Sequence, residues 1–181
     1  MDILVSMNIE FEMGKTMVNP VYTDLHRIAV TGIIWRRGAL RREYLITRRS
    51  PYKKVHPGRW TVPGGGLEIG DYIDSEPTTV EPRQWYGAVE RALRREIKEE
   101  VGLEVEELEY LCDIAFIRPD GIPSLFLSFF CHYADGTPQL GEDTIDLAWI
   151  SAARAKDYDL IEGIADEIAD VERILNGERN G

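Results

Sequence analysis

Residues 95–103 read REIKEEVGL, with three glutamates in five positions and apolar residues threaded between them. Carboxylates at that density suit two kinds of chemistry. They can hold a hard divalent cation, or one of them can take a proton from an attacking water. They are equally at home on a solvated helix surface, so the direction in which they point matters. With Val89 at zero and a helical advance of about 100° per residue, Val89, Leu93, Ile97 and Val101 fall at about 0°, 40°, 80° and 120°. Arg91, Arg94 and Lys98 lie between about 140° and 200° and make the outer face. Glu99 falls near 280°, Glu96 near 340° and Glu100 near 20°, inside or beside the apolar arc.

Glu96 and Glu100 are therefore four apart and share a side, an arrangement that is mildly destabilising for like charges. Carboxylates turned inward must protonate, pair with arginine or hold a cation. Arg95 is the nearest partner, and one arginine cannot neutralise three acids. A metal site and a structural salt-bridge cluster both remain open on geometry alone.

The elements that must position these groups follow from pattern. RIAVTGIIW (27–35) is β-branched and reads as a buried strand, and EYLITRR (43–49) follows after a short turn as its hairpin partner. Residues 50–71 are rich in proline and glycine and read as loop, with a short strand at 60–62. Residues 72–87 hold two prolines and show no period, which predicts an irregular insertion. A helix is predicted over 88–101 with Gly102 to end it. Strands are predicted over 108–117, 124–133 and 144–150, the first two joined by the turn-forming RPDG (118–121). Ile161, Ile164, Ile168, Val171 and Leu175 recur at helical spacing and predict an amphipathic final helix. This order of elements indicates an α/β domain.

Composition narrows the function classes. The chain has 181 residues, with 32 acids against 21 bases and a net charge of −11. No broad phosphate-neutralising surface is expected, so DNA and RNA are not expected partners, although WRRGALRR (35–42) is a local basic patch. Two cysteines, Cys112 and Cys131, form no metal-ligand spacing and read as small core residues. Neither a secretory leader nor a membrane span is legible. These features lead us to expect a cytoplasmic protein with no membrane partner.

GGGLEIGD (64–71) followed by REIKEEVGL resembles the box of the Nudix hydrolase family (MutT-related), Gly-x5-Glu-x7-Arg-Glu-U-x-Glu-Glu-x-Gly-U, where U is bulky and aliphatic. Gly65, Arg95, Glu96, Ile97, Glu99, Glu100, Gly102 and Leu103 match it. Asp71 stands where the family has Glu. Residues 72–94 number 23 where the family has seven, a surplus of 16 placed between loop and helix. The likeness runs more loosely from about residue 27 to 150, with Asp146 three before Trp149.

The resemblance implies a Nudix-type α/β/α sandwich with a mixed sheet, covering 25–176 between an N-terminal extension (1–24) and a short tail (177–181). It implies hydrolysis of a nucleoside diphosphate linked to another group, with Mg²⁺ (or Mn²⁺) as cofactor and a small-molecule nucleotide as substrate. Glu96, Glu99, Glu100 and the carbonyl of Gly64 would be metal ligands. Catalysis would rest on Glu96, Glu99 and Glu100, with Arg95 orienting them and Asp71 bracing Arg95. Glu142 and Asp143 are candidates for a distal acid, and Glu68 is close enough in sequence to approach the metal.

A (d)NTP, cleaved to NMP and pyrophosphate, is the preferred substrate. An ADP-ribose or NDP-sugar substrate is the alternative, and a non-catalytic nucleotide-sensing module is a further one. Pro119 lies 16 positions after Leu103, a spacing that resembles the ADP-ribose branch, though RPDG is also a competent turn. Arg48 is a candidate phosphate contact, and Tyr72 and Trp85 in the insertion are candidates for base stacking. His26, His56 and His132 are scattered and take no catalytic role. A homodimer is left open as the assembly.

Overall fold

The computed structural model describes residues 25–118 and 120–178. The N-terminal extension (1–24), Pro119 and residues 179–181 lie outside the described residues. The elements run β1 (Arg27–Arg37), β2 (Arg42–Arg49), β3 (Trp60–Thr61), β4 (Gly64–Gly66), α1 (Ala88–Val101), β5 (Glu104–Val105), β6 (Glu109–Ile117), β7 (Pro123–Asp135), β8 (Thr144–Ile150) and α2 (Ile164–Leu175). Short 3-10 turns occupy Ile69–Asp71 and Ala152–Asp157.

All eight strands belong to one mixed sheet. β1 lies at its centre, parallel to β7 from Arg27↔Ser124 to Trp35↔His132 and antiparallel to β2. The other pairings are antiparallel, with β6 outside β7 and β8 outside β2. Successive strand side chains point to opposite faces. Ile34 and Leu45 pack with Ala92, Leu93, Ile97 and Val101 of α1, whereas Ile33, Tyr44 and Ile46 pack with Ile164, Ile168 and Val171 of α2. Tyr44, Leu45 and Ile46 are therefore all fully buried, as expected of a strand covered on both sides. The expected α/β/α sandwich is present.

Three details differ from the sequence reading. Gly64–Gly66, read as loop, is a strand against Ala29–Thr31 of β1. No side-chain pattern could announce it, because three glycines carry none. The final helix starts at Ile164 behind Gly163 (φ 90°), and Ile161 instead gives its N–H to Trp60 O at 2.9 Å in the preceding turn. Cys131 is buried as expected, but Cys112 is only partly so.

The irregular insertion expected at 72–87 carries no helix and no strand of the sheet, and its residues bond one another as a lobe. Thr79 bridges Gln84, Trp85 Nε1 donates to Ser75 O at 2.9 Å, and Tyr86 N donates to Thr78 Oγ1 at 3.1 Å. Arg91 ties the lobe to α1, with Nε on Asp71 O at 2.8 Å and Nη1 on Tyr86 O at 3.0 Å.

Candidate active site

The glycine strand explains how α1 comes to lie against the sheet. Gly64 N–H donates to Glu100 Oε2 at 3.1 Å. A Cβ on Gly65 would sit 2.2 Å from Glu96 Cδ, so the carboxyl occupies the space a side chain would fill. α1 ends on Gly102 (φ 69°), whose N–H bonds Lys98 O at 3.0 Å. Against that same end packs the loop before β8, with Gln139 N on Val101 O at 3.0 Å and Gly141 N on Glu100 O at 2.9 Å. This contact carries Glu142 and Asp143 to the glutamates.

Arg95 is the hub. Its Nε donates to Asp71 Oδ1 at 2.6 Å and its Nη2 to Asp71 Oδ2 at 3.2 Å. Nη1 donates to Glu96 Oε1 at 2.9 Å and Glu99 Oε2 at 3.1 Å, and Nη2 also reaches Gly66 O at 3.1 Å. Asp71, its side chain only 2% exposed, further accepts from Glu68 N–H at 2.8 Å. The Arg95 guanidinium holds the Asp71 carboxyl below its ordinary range. The shorter acid thus still grips the arginine in two places.

Removing this grip leaves Arg95 short of its best partner. Charge-assisted bonds of this kind contribute about 1.5–3 kcal/mol each. Asp71→Ala is expected to lower Tm by roughly 5–10 °C, while Asp71→Glu should be tolerated. The pH sign follows from the depressed carboxyl. Its contribution is present above the ordinary Asp range and is lost as pH falls through the lower folded value. The Tm gap between wild type and Asp71→Asn should therefore close in acid. A gap that persists or widens there would refute the brace.

Burial pushes Glu96 upward against the opposing pull of Arg95. Glu100 is buried more deeply and rises to about 7, the Gly64 N–H only partly offsetting the loss of solvent. Glu99 is 61% exposed. Among the described residues, no three acidic, imidazole or thiol groups already stand gathered as a cation cage. Arg95 reaches between Glu96 and Glu99 and bonds both. The donor set nevertheless fits Mg²⁺ or Mn²⁺: hard carboxylate oxygens on one helix face, beside a backbone strand that approaches them without side chains.

All three glutamates, Gly64, Arg95, Glu68, Glu142 and Asp143 line one cleft of about 1120 Å³. Further bases line it, among them Arg27, Arg49 and Lys53, the last paired with Asp143. Arg48, the sequence candidate, does not; it points away and donates to Gly58 O at 3.0 Å. Alternation along β2 puts Arg49 on the same side as Leu45 and Thr47, towards α1, and it is Arg49 that lines the cleft. Burial lowers the Arg49 pKa, while Glu100 and Asp143 draw it back up.

Tyr72 and Trp85 are also not brought to the cleft. Their rings pack on each other, centroids 5.6 Å apart, and no residue of 72–87 lines the cavity. Replacing 72–87 by a short Gly/Ser turn should therefore lower Tm through the loss of the Tyr86 contact to Arg91, leaving KM within about twofold. A tenfold rise in KM would return the lobe to the substrate path.

A mixed sheet between two helices carries an arginine-braced row of glutamates against a glycine strand. The model of the NUDIX domain matches residues 25–170, and the chain belongs to the Nudix family. It is 31% identical over 144 residues to nucleoside triphosphatase NudI of Escherichia coli K12, spanning 74% of this chain and 88% of that protein. To NudI of Klebsiella pneumoniae it is 32% identical over 146 residues, spanning 75% and 89%.

Among solved structures, a MutT NUDIX hydrolase from Burkholderia pseudomallei shares the fold with a TM-score of 0.61 at 23% identity, covering 82% of this chain and 99% of that one. The NUDIX domain of Shewanella oneidensis NrtR, solved with ADP ribose, matches with a TM-score of 0.67 at 16% identity, covering 87% and 94%. No helix among the described residues is long and apolar enough to cross a membrane.

Proposed function

We propose that the chain hydrolyses nucleoside triphosphates to the monophosphate and pyrophosphate with a divalent cation, Mg²⁺ by preference. One observation carries this reading: three carboxylates of α1 and the bases Arg27, Arg49 and Lys53 line the same cleft. Glu96, Glu99, Glu100 and the carbonyl of Gly64 would hold the ion. When bound, it would neutralise charge on phosphate oxygens and acidify a water.

The remaining work falls to the chain itself. Asp71 keeps Arg95 in place, so that Glu96 and Glu99 can each exchange a guanidinium contact for another partner without the helix shifting. Arg49 and Lys53 attract the polyphosphate. A proton leaving water can go to a box glutamate or to the neighbouring Glu142 and Asp143. The cleft is at the upper end of small-molecule sites and has room for a whole nucleotide. The nucleoside triphosphatase names of the NudI relatives support the triphosphate over the sugar-linked alternative.

The test is a panel of NTPs, dNTPs, dinucleotides and NDP-sugars with Mg²⁺. Nucleoside triphosphates should show the highest kcat/KM. A clear preference for ADP-ribose would replace the reading, and no turnover of any member would make the chain a nucleotide-sensing module.

A further inference from the structure

Glu167, in the first turn of α2, is only 7% exposed, yet it lines the cleft. Its Oε2 accepts a hydrogen bond from the hydroxyl of Ser128, which is itself fully buried and stands 3.0 Å from the hydroxyl of Thr31. Its Oε1 makes no hydrogen bond among the described residues and is not sealed off from the cavity. Among the described residues no arginine or lysine pairs with it, and the charge that acts on it is Asp170, of like sign. A buried carboxylate with half its acceptor capacity unused is costly in a fold, and an apolar residue would pack there more favourably.

The surroundings indicate what could use it. Strand pairing puts Thr31, Ser128 and Cys112 in one row across β1, β7 and β6, and Ala29, Phe126 and Ile114 in the next row on the same face. Ile114, Phe116 and Phe126 line the cleft beside Glu167, and the two phenylalanine rings lie 5.3 Å apart. Ile114 and Phe116 remain 40% and 38% exposed, an apolar floor open to a ligand. Glu167 would repel phosphate, which belongs with Arg49 and Lys53. A flat apolar ring with an N–H edge fits both features: its face to the floor, its edge to an acceptor.

We propose that Glu167 is the specificity residue of the cleft, its Oε1 accepting a hydrogen bond from an N–H of the nucleobase lying on the Ile114–Phe116–Phe126 floor. The inference rests on the reading of the cleft as a nucleotide site. A merely structural Glu167, tethering α2 to the sheet through Ser128, would affect stability and not base preference.

Calorimetry with the four common nucleoside 5′-monophosphates and ribose 5-phosphate, without divalent cation, separates these roles independently of turnover. Wild type should bind at least one monophosphate about tenfold or more tightly than ribose 5-phosphate. Glu167→Gln should cut that base-dependent factor by about tenfold, the worth of a hydrogen bond to a charged acceptor, and leave ribose 5-phosphate unchanged. Glu167→Asp, which withdraws the charge by one methylene, should do the same and serves if the amide variant does not fold.

An unaltered base-dependent factor in the variants, or none in wild type, would overturn the proposal. Failure of the hydrolase reading would look different: base-selective binding that depends on Glu167, with no triphosphate turnover when Mg²⁺ is supplied.

Discussion

Glu100→Gln should lower kcat by roughly 10²–10⁴-fold and yet leave the protein folded, and Glu99→Gln should do likewise. Both amides keep the shape of the side chain and remove its charge, so binding of a cation and acceptance of a proton are lost together. The two variants should differ in stability. Glu99 is largely exposed, and its exchange should move Tm little.

Glu100 is buried with its pKa raised to about 7. The folded state therefore holds its proton to higher pH than the unfolded chain does. Wild-type stability falls as pH rises from the ordinary glutamate range through about 7, where the buried carboxyl must ionise. Without added divalent cation, Glu100→Gln should then melt above wild type at pH 8 and near it at pH 5. With Mg²⁺ present the order should reverse, because only wild type gains the ion's binding energy. Steady-state rates and melts at the two pH values check this. Near wild-type turnover in both variants would remove the glutamates from the chemistry.

Gly64→Ala should be the most damaging added methyl among the described glycines. Gly64 has φ 156°, and a Cβ there would lie 2.2 Å from Val30 O and 2.8 Å from Thr31 Cα, both backbone atoms of the central strand. Neither can rotate away, so β4 must separate from β1. A loss of about 3–5 kcal/mol is expected, the range of strain and broken ladder bonds combined.

At Gly65 the obstacle is a side chain, with Glu96 Cδ 2.2 Å from the added methyl. Gly65→Ala should therefore fold, with Glu96 displaced and activity strongly reduced. Gly70, where a Cβ would meet nothing within 4 Å, is the control and should tolerate alanine within about 0.5 kcal/mol. Urea unfolding of the three variants decides the order. A Gly64→Ala protein as stable as Gly70→Ala would mean that β4 is not held against β1 as described.

What the sequence made legible was whatever repeats with the period of its element. The inward turn of Glu96 and Glu100 could be read from a helical wheel, because α1 is regular from Ala88 to Val101. The inward arginine of β2 was legible too, because alternation puts Arg49, and not Arg48, on the side of Leu45 and Thr47 that faces α1. The lobe at 72–87 is held by side chain-to-backbone bonds such as Trp85 to Ser75, which leave no period in the sequence.

Glu167 had a visible sign. It lies three positions after Ile164, on the same side of α2 as the apolar residues, where a carboxylate is out of place. Its partner Ser128 is 39 residues away in the chain, and only the pairing of β7 with β1 brings that hydroxyl beneath the helix.

The most direct measurement is product identity. Incubating wild type and Glu100→Gln with one nucleoside triphosphate and Mg²⁺, and following phosphorus NMR, shows which anhydride breaks. Wild type should yield nucleoside monophosphate and pyrophosphate in equal amounts, with the variant yielding neither at a comparable rate. Nucleoside diphosphate and orthophosphate from wild type, or equal monophosphate production by the variant, would contradict pyrophosphohydrolysis at the α1 carboxylates.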